Sequence, residues 1–180
     1  MAAARVFQVA LIDRVRKPPD WFGYSTKNEI TYTIFDYLIQ IARVTPGKFV
    51  PGPGWSYGPS HVQAHDVVVY FVYDRSESIL LSELGVTPSA GAGGGFTYIS
   101  SAATVCEVYI NDSMPAHRLA NCAFHEVMHN VLAVGDGMHS LGGVAASPTP
   151  ERAILTAESI RRMSARMFLP RPQFLGRMQE

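Results

Sequence analysis

The chain has 180 residues, 47% of them hydrophobic and 17% charged, with 15 basic side chains against 15 acidic ones. This fits a single globular domain and excludes a disordered chain. The balanced charge excludes a general electrostatic attraction to nucleic acid or to an anionic membrane surface.

Residues 5–15 alternate loosely and read as a first strand, which Lys17-Pro18-Pro19-Asp20 breaks. Residues 26–44 follow with a helical pattern, because Ile30, Ile34, Tyr37, Leu38 and Ile41 form one apolar stripe. Pro46-Gly47 ends that helix, and the Pro- and Gly-rich stretch 51–59 reads as a loop. Residues 66–74 carry an unbroken β-branched and aromatic run, the pattern of a central strand buried on both faces. Residues 89–95 read as a flexible Gly/Ala loop, and 95–101 and 103–111 as two further strands. A helix is expected over 116–134, with Asp112 and Ser113 as N-cap candidates, Pro115 in the first turn and Gly135 as its stop. Residues 135–150 read as irregular. Thr156 caps a last helix on which Ile160, Met163 and Met167 share a face; Pro170 ends it, and 171–180 reads as a loose tail. The expectation is one α/β domain over 1–180, a twisted mixed sheet carrying helices.

No apolar run approaches the ~20 residues that span a bilayer. Asp13, Arg14 and Arg16 interrupt any signal-peptide pattern at the N-terminus. The chain is therefore expected to be cytoplasmic, exported by a signal-peptide-independent secretion system, or a domain of a larger protein. Cys106 and Cys122 do not make a disulfide scaffold and read as buried free thiols. The arginines near the C-terminus (Arg152, Arg161, Arg162, Arg166, Arg171 and Arg177) read as a solvated helix face.

Within the expected helix 116–134, His125, Glu126 and His129 spell H-E-x-x-H. Composition alone gives an expected count of roughly 0.01 for this motif, so chance is a poor source of it. Residues four apart share a helix face, so both imidazoles can bind one zinc ion, with the carboxylate placed to serve a zinc-activated water. A catalytic zinc takes a third protein ligand and keeps an open position. His139, past the helix stop, is the first choice because imidazole suits zinc. Asp136 is the runner-up, in a Gly-Asp-Gly turn where it also suits a role beside a ligand. Glu151 and Glu158 remain open if a later segment reaches the metal. His61 and His65 precede a strand and would lie ~13 Å apart along it, too far for one tetrahedral ion. His117, two turns before His125, reads as an exposed side chain.

These residues resemble the metzincin branch of the zincin metallopeptidases over 125 to about 167, and more loosely over the preceding strands. The resemblance rests on the order strand, H-E-x-x-H helix, Gly turn, third ligand, irregular segment and a final helix opened by Leu155-Thr156-Ala157-Glu158. Leu132 stands where the family has Gly, and Gly135 where it has the third ligand. No Met lies between His139 and Leu155, so residues 141–146 are left to form the floor of the site. Residues 125–130 and 138–146 also look like metallopeptidase domains attached to bacterial secretion and toxin proteins. The resemblance implies a zincin-like α+β fold, a zinc cofactor, Glu126 as general base, a protein or peptide substrate, and residues 92–101 as the upper rim of the cleft. Two other readings stand beside it. One is a zinc-stabilised module that binds a partner without cleaving it; the other is a non-peptidase zinc hydrolase of deformylase type, with Cys106 as ligand.

Overall fold

A computed structural model describes residues 4–56, 66–89, 94–110, 114–150 and 152–175. The strands are β1 (Arg5–Asp13), β2 (Phe49–Ser56), β3 (Val67–Val72), β4 (Gly95–Ile99) and β5 (Thr104–Tyr109). The helices are α1 (Tyr24–Ala42), α2 (Ile79–Leu84), α3 (Ala116–Leu132) and α4 (Ala157–Arg166). All five strands form one mixed sheet in the order β2-β1-β3-β5-β4, so the chain has the α/β architecture expected of it. Pairing is parallel from β2 through β5. Only β4, at the edge, runs antiparallel to its neighbour.

Strand periodicity divides the core in two. Phe7, Val9 and Leu11 of β1, Val67, Val69 and Phe71 of β3, and Cys106 and Val108 of β5 face one side. There they pack with Ile30, Ile34, Leu38 and Ile41 of α1, with the buried side of α3, and with Met163 of α4. The alternate residues, Ala10, Ile12, Val68, Tyr70, Val72, Val105 and Tyr109, face the other side under Ile79 and Leu80 of α2. β3 is thus the central strand and is buried throughout, as its unbroken apolar sequence requires. The α1 stripe is buried residue for residue as its spacing predicts.

Three features depart from the sequence reading. The stretch expected as a loop over 51–59 begins inside β2. Pro51 and Pro53 have no N–H for a ladder, and β2 accommodates them because it is an edge strand. Residues 57–59 lie outside the described part. Helix α2 was not anticipated, although Ser78 caps its start by accepting from the Leu81 N–H and Gly85 (φ 66°) ends it in the left-handed region. The tail is not loose where it is described. Thr104 N–H donates to Pro172 O at 2.7 Å, Phe174 N–H to Thr104 O at 3.0 Å, and Tyr70 Oη to Phe174 O at 2.9 Å. Arg166 is exposed, as a solvated face requires, and its guanidinium also donates to Leu132 O at 2.6 Å at the end of α3. Arg161 and Arg162 also lie on the surface, paired with Glu158.

Candidate metal centre

Helix α3 is buried from Leu119 to Leu132 between β4, β5 and α1, which fixes the faces its side chains take. His125 and His129, one turn apart, point off the same side. The helix stops two residues before the expected Gly135. Ala133 itself adopts the left-handed conformation (φ 53°) that a helix C-terminus commonly needs. This turn brings Val134 O to 2.7 Å from His129 Nδ1.

The chain then doubles back. A 3-10 turn, Asp136–Leu141, is anchored by the fully buried Met138 and presents His139. Gly142 (φ 67°) and Gly143 (φ 58°) reverse it. At Gly143 a Cβ would fall 2.1 Å from Ile154 O, so no other residue fits there. The next 3-10 turn, Gly143–Ala145, sets Val144 O at 2.8 Å from His125 Nδ1. Residues 141–146 therefore lie against the site as its floor, without a methionine.

The potential ligand atoms of His125, His129 and His139 all lie within 4.8 Å of one another, close enough to hold a metal ion. His125 and His129 are buried, and His139 is half-buried. Burial and the neighbouring histidines hold the His125 imidazole down at about 4 and His129 below its usual range, so both rings are neutral near pH 7. A carbonyl oxygen can only accept. The contacts to Val144 O and Val134 O therefore assign the ring hydrogen to Nδ1 in both residues and leave a lone pair on each Nε2. Those two Nε2 atoms face each other at 3.0 Å. Two lone pairs cannot hydrogen-bond, and a cation between them relieves their repulsion. Backbone carbonyls on the far nitrogens are also how metal-binding imidazoles are usually oriented. The donor set fits a metal.

No protein-family model, curated protein or solved structure matches the chain. The site stands on its own geometry.

Of the other candidate ligands, Asp136 projects a fully exposed side chain whose carboxylate reaches 4.0 Å from His139 Nδ1, beside the third histidine and not in its place. Glu158 faces solvent on α4, where Arg161 and Arg162 hold its carboxyl down at about 2. Cys106 lies in the core under α3, its thiol against Glu126 O and the Asn130 amide; burial pushes it up to about 12, and it is not part of the histidine cluster. Both cysteines are free and buried. His117 is half-buried, not exposed. Glu151, His61, His65, Asp112 and Ser113 lie outside the described residues.

Glu126 turns from the histidines' side toward β4. It is 4% exposed, and Thr97 Oγ1 donates to its Oε2 at 2.6 Å. Burial, with a contribution from Glu107, pushes its carboxyl up to about 8, against the Thr97 hydrogen bond. The approach of β4 to α3 is possible because of two glycines. A Cβ at Gly94 would stand 2.6 Å from Cys122 Sγ, and one at Gly95 would stand 2.7 Å from Glu126 Oε1. Cys122 and Glu126 are one helical turn apart, so adjacent glycines seat adjacent turns of the helix. Composition alone made this Gly-rich stretch a flexible loop. The signal it did carry was three successive glycines, Gly93 to Gly95, leading into a strand, a mark of close backbone approach.

Proposed function

We propose that the protein is a zinc-dependent metallopeptidase of zincin type, with His125, His129 and His139 as ligands and Glu126 as general base. The observation that carries this reading is the buried pair of facing Nε2 lone pairs, completed by a third imidazole and flanked by a carboxylate from the same helix. Three imidazole nitrogen donors with no carboxylate among them suit zinc better than calcium or magnesium. When bound, zinc supplies Lewis acidity, lowering the pKa of a water and polarising a carbonyl.

The chain's own residues do the rest. The backbone carbonyls of Val144 and Val134 fix the tautomers of His125 and His129. Glu126, its carboxyl pushed up to about 8 by burial, takes a proton from the attacking water and returns it to the leaving amine. β4 is the sheet edge beside α3, and its outer backbone edge offers an extended peptide a main-chain partner. This edge supports the reading of a protein or peptide substrate. The likeness to secretion- and toxin-associated metallopeptidase domains belongs to the same proposal.

The near-complete burial of Glu126 also favours a second reading, a metal-stabilised binding module in which that carboxylate is structural. Glu126→Gln separates the two. It should keep the fold and zinc while losing nearly all cleavage of a broad peptide library, since a general base contributes ~10²–10⁴-fold. Equal activity of wild type and Glu126→Gln, in an assay that a chelator abolishes, would overturn the mechanism. Stoichiometric zinc with no cleavage by either protein would favour the binding module.

A further inference from the structure

We propose that Thr97 and Gly95 are positioning residues that seat the Glu126 carboxylate, with Thr97 holding Oε2 and the bare Cα of Gly95 leaving room for Oε1. The consequence for catalysis rests on the peptidase reading; the seat itself does not. Thr97 and Gly95 are two apart on β4 and so face the same way, toward α3. Both are fixed by the ladder to β5, Gly95 opposite Val108 and Thr97 opposite Cys106. The Thr97 hydroxyl lies 2.6 Å from Oε2 and 3.3 Å from the backbone carbonyl of the same glutamate, so it meets both ends of that residue. Among the described residues no hydrogen bond reaches Oε1. That oxygen is instead packed against the bare Cα of Gly95, where any Cβ would also stand 3.0 Å from Glu126 Cγ and 2.6 Å from Glu107 O.

A glutamate has three rotatable bonds, and a misplacement of a reacting group by ~1 Å can cost ~10²-fold in rate. Here the hydroxyl sets one oxygen and the missing side chain at position 95 leaves room for the other. Because the carboxylate is buried, water does not replace the Thr97 hydroxyl when it is removed.

The test uses metal-free protein carrying [13Cδ]glutamate, in which the resonance missing from Glu126→Gln identifies Glu126. Thr97→Val, which keeps the shape and removes the donor, should move that resonance, and Thr97→Ser should return it to near the wild-type position. Gly95→Ala should also move it. In the zinc-loaded protein, Thr97→Val should lower kcat roughly ten- to hundredfold with KM little changed, the loss expected of one hydrogen bond to a charged group. Thr97→Ser should recover most of that. If Thr97→Val does not fold, Thr97→Ala carries the same expectation. An unmoved Glu126 resonance in the donor-less variant, or a Thr97→Ser protein as impaired as Thr97→Val, would overturn the proposal. If wild type cleaves no peptide, the peptidase reading fails, while the resonance still decides whether Thr97 seats the carboxylate.

Discussion

At the scale of single residues, the site depends on backbone carbonyls as much as on side chains. Val144 O and Val134 O define which nitrogen of His125 and His129 is free, and each carbonyl is placed by a special backbone position nearby. Gly143 shows the dependence. A methyl at Gly143 would collide with Ile154 O, so Gly143→Ala must shift the segment that carries Val144. The expected result is a lower melting temperature together with weaker zinc binding. Normal zinc affinity in a destabilised Gly143→Ala protein would show that the floor does not orient His125. His139 and Asp136 make a second contrast. His139→Ala should weaken zinc binding far more than Asp136→Ala, because the exposed Asp136 carboxylate stands 4.0 Å from the His139 ring and outside the cluster. Zinc titration with a competing chelator measures both, and the reverse order would hand the ligand role to Asp136.

At the scale of elements, the end of α3 is strained and improvable. Ala133 holds φ 53° at a position where glycine carries no Cβ penalty. Ala133→Gly should stabilise the protein by about 1 kcal/mol in denaturant unfolding; a loss of stability would mean that the Ala133 methyl makes a packing contact worth more than the strain. The far face of the sheet holds a second testable element. Glu107 is fully buried on β5 and accepts from Ser78 Oγ at 2.8 Å, the Leu80 N–H at 2.9 Å and, more weakly, Tyr109 Oη at 3.3 Å. Burial pushes its carboxyl above the ordinary range despite these donors. The folded state therefore holds this proton more tightly than the unfolded chain. The contribution is full below the unfolded value, near 4.3, and is lost as pH rises from there through the folded value. Unfolding free energy measured upward from about pH 4.5 should fall more steeply for wild type than for Glu107→Gln, and parallel profiles would remove Glu107 as the cause. Much of this level was legible in the sequence. The α1 stripe, the apolar β3 run, the H-E-x-x-H helix and the Thr156 cap each carry a local physical signature. β2 was hidden because Pro and Gly signal a loop unless an edge is known. The α3 terminus was misplaced because an alanine in the left-handed region leaves no mark in composition.

At the scale of the whole molecule, the C-terminal segment ties the site helix to the sheet. Asn130, next to His129 and fully buried, exchanges two hydrogen bonds with Gln173, at 2.8 and 3.2 Å, and Gln173 Oε1 also accepts from the Val68 N–H at 3.2 Å. Removing that amide takes a partner from Asn130 Nδ2, Asn130 Oδ1 and the Val68 N–H. Gln173→Ala should therefore cost about 2 kcal/mol in urea unfolding, whereas Gln173→Glu should be worse still near neutral pH, since the new carboxylate is half-buried and no longer donates to Asn130. A neutral Gln173→Ala would contradict the clasp. Such long-range pairing has no sequence signature, which is why residues 171–175 read as tail. The three histidines were legible for a different reason: two sit at a helical spacing and the third lies just past the helix, so only a local reversal was needed to gather them. The most direct test of the account is anomalous diffraction across the zinc absorption edge from crystals of protein purified without added metal. One zinc per chain is expected, bonded to ring nitrogens of His125, His129 and His139 and to no other side chain. A site completed by Asp136 or Glu158 in place of His139, or well-ordered histidines with no metal between them after equilibration with zinc, would contradict it.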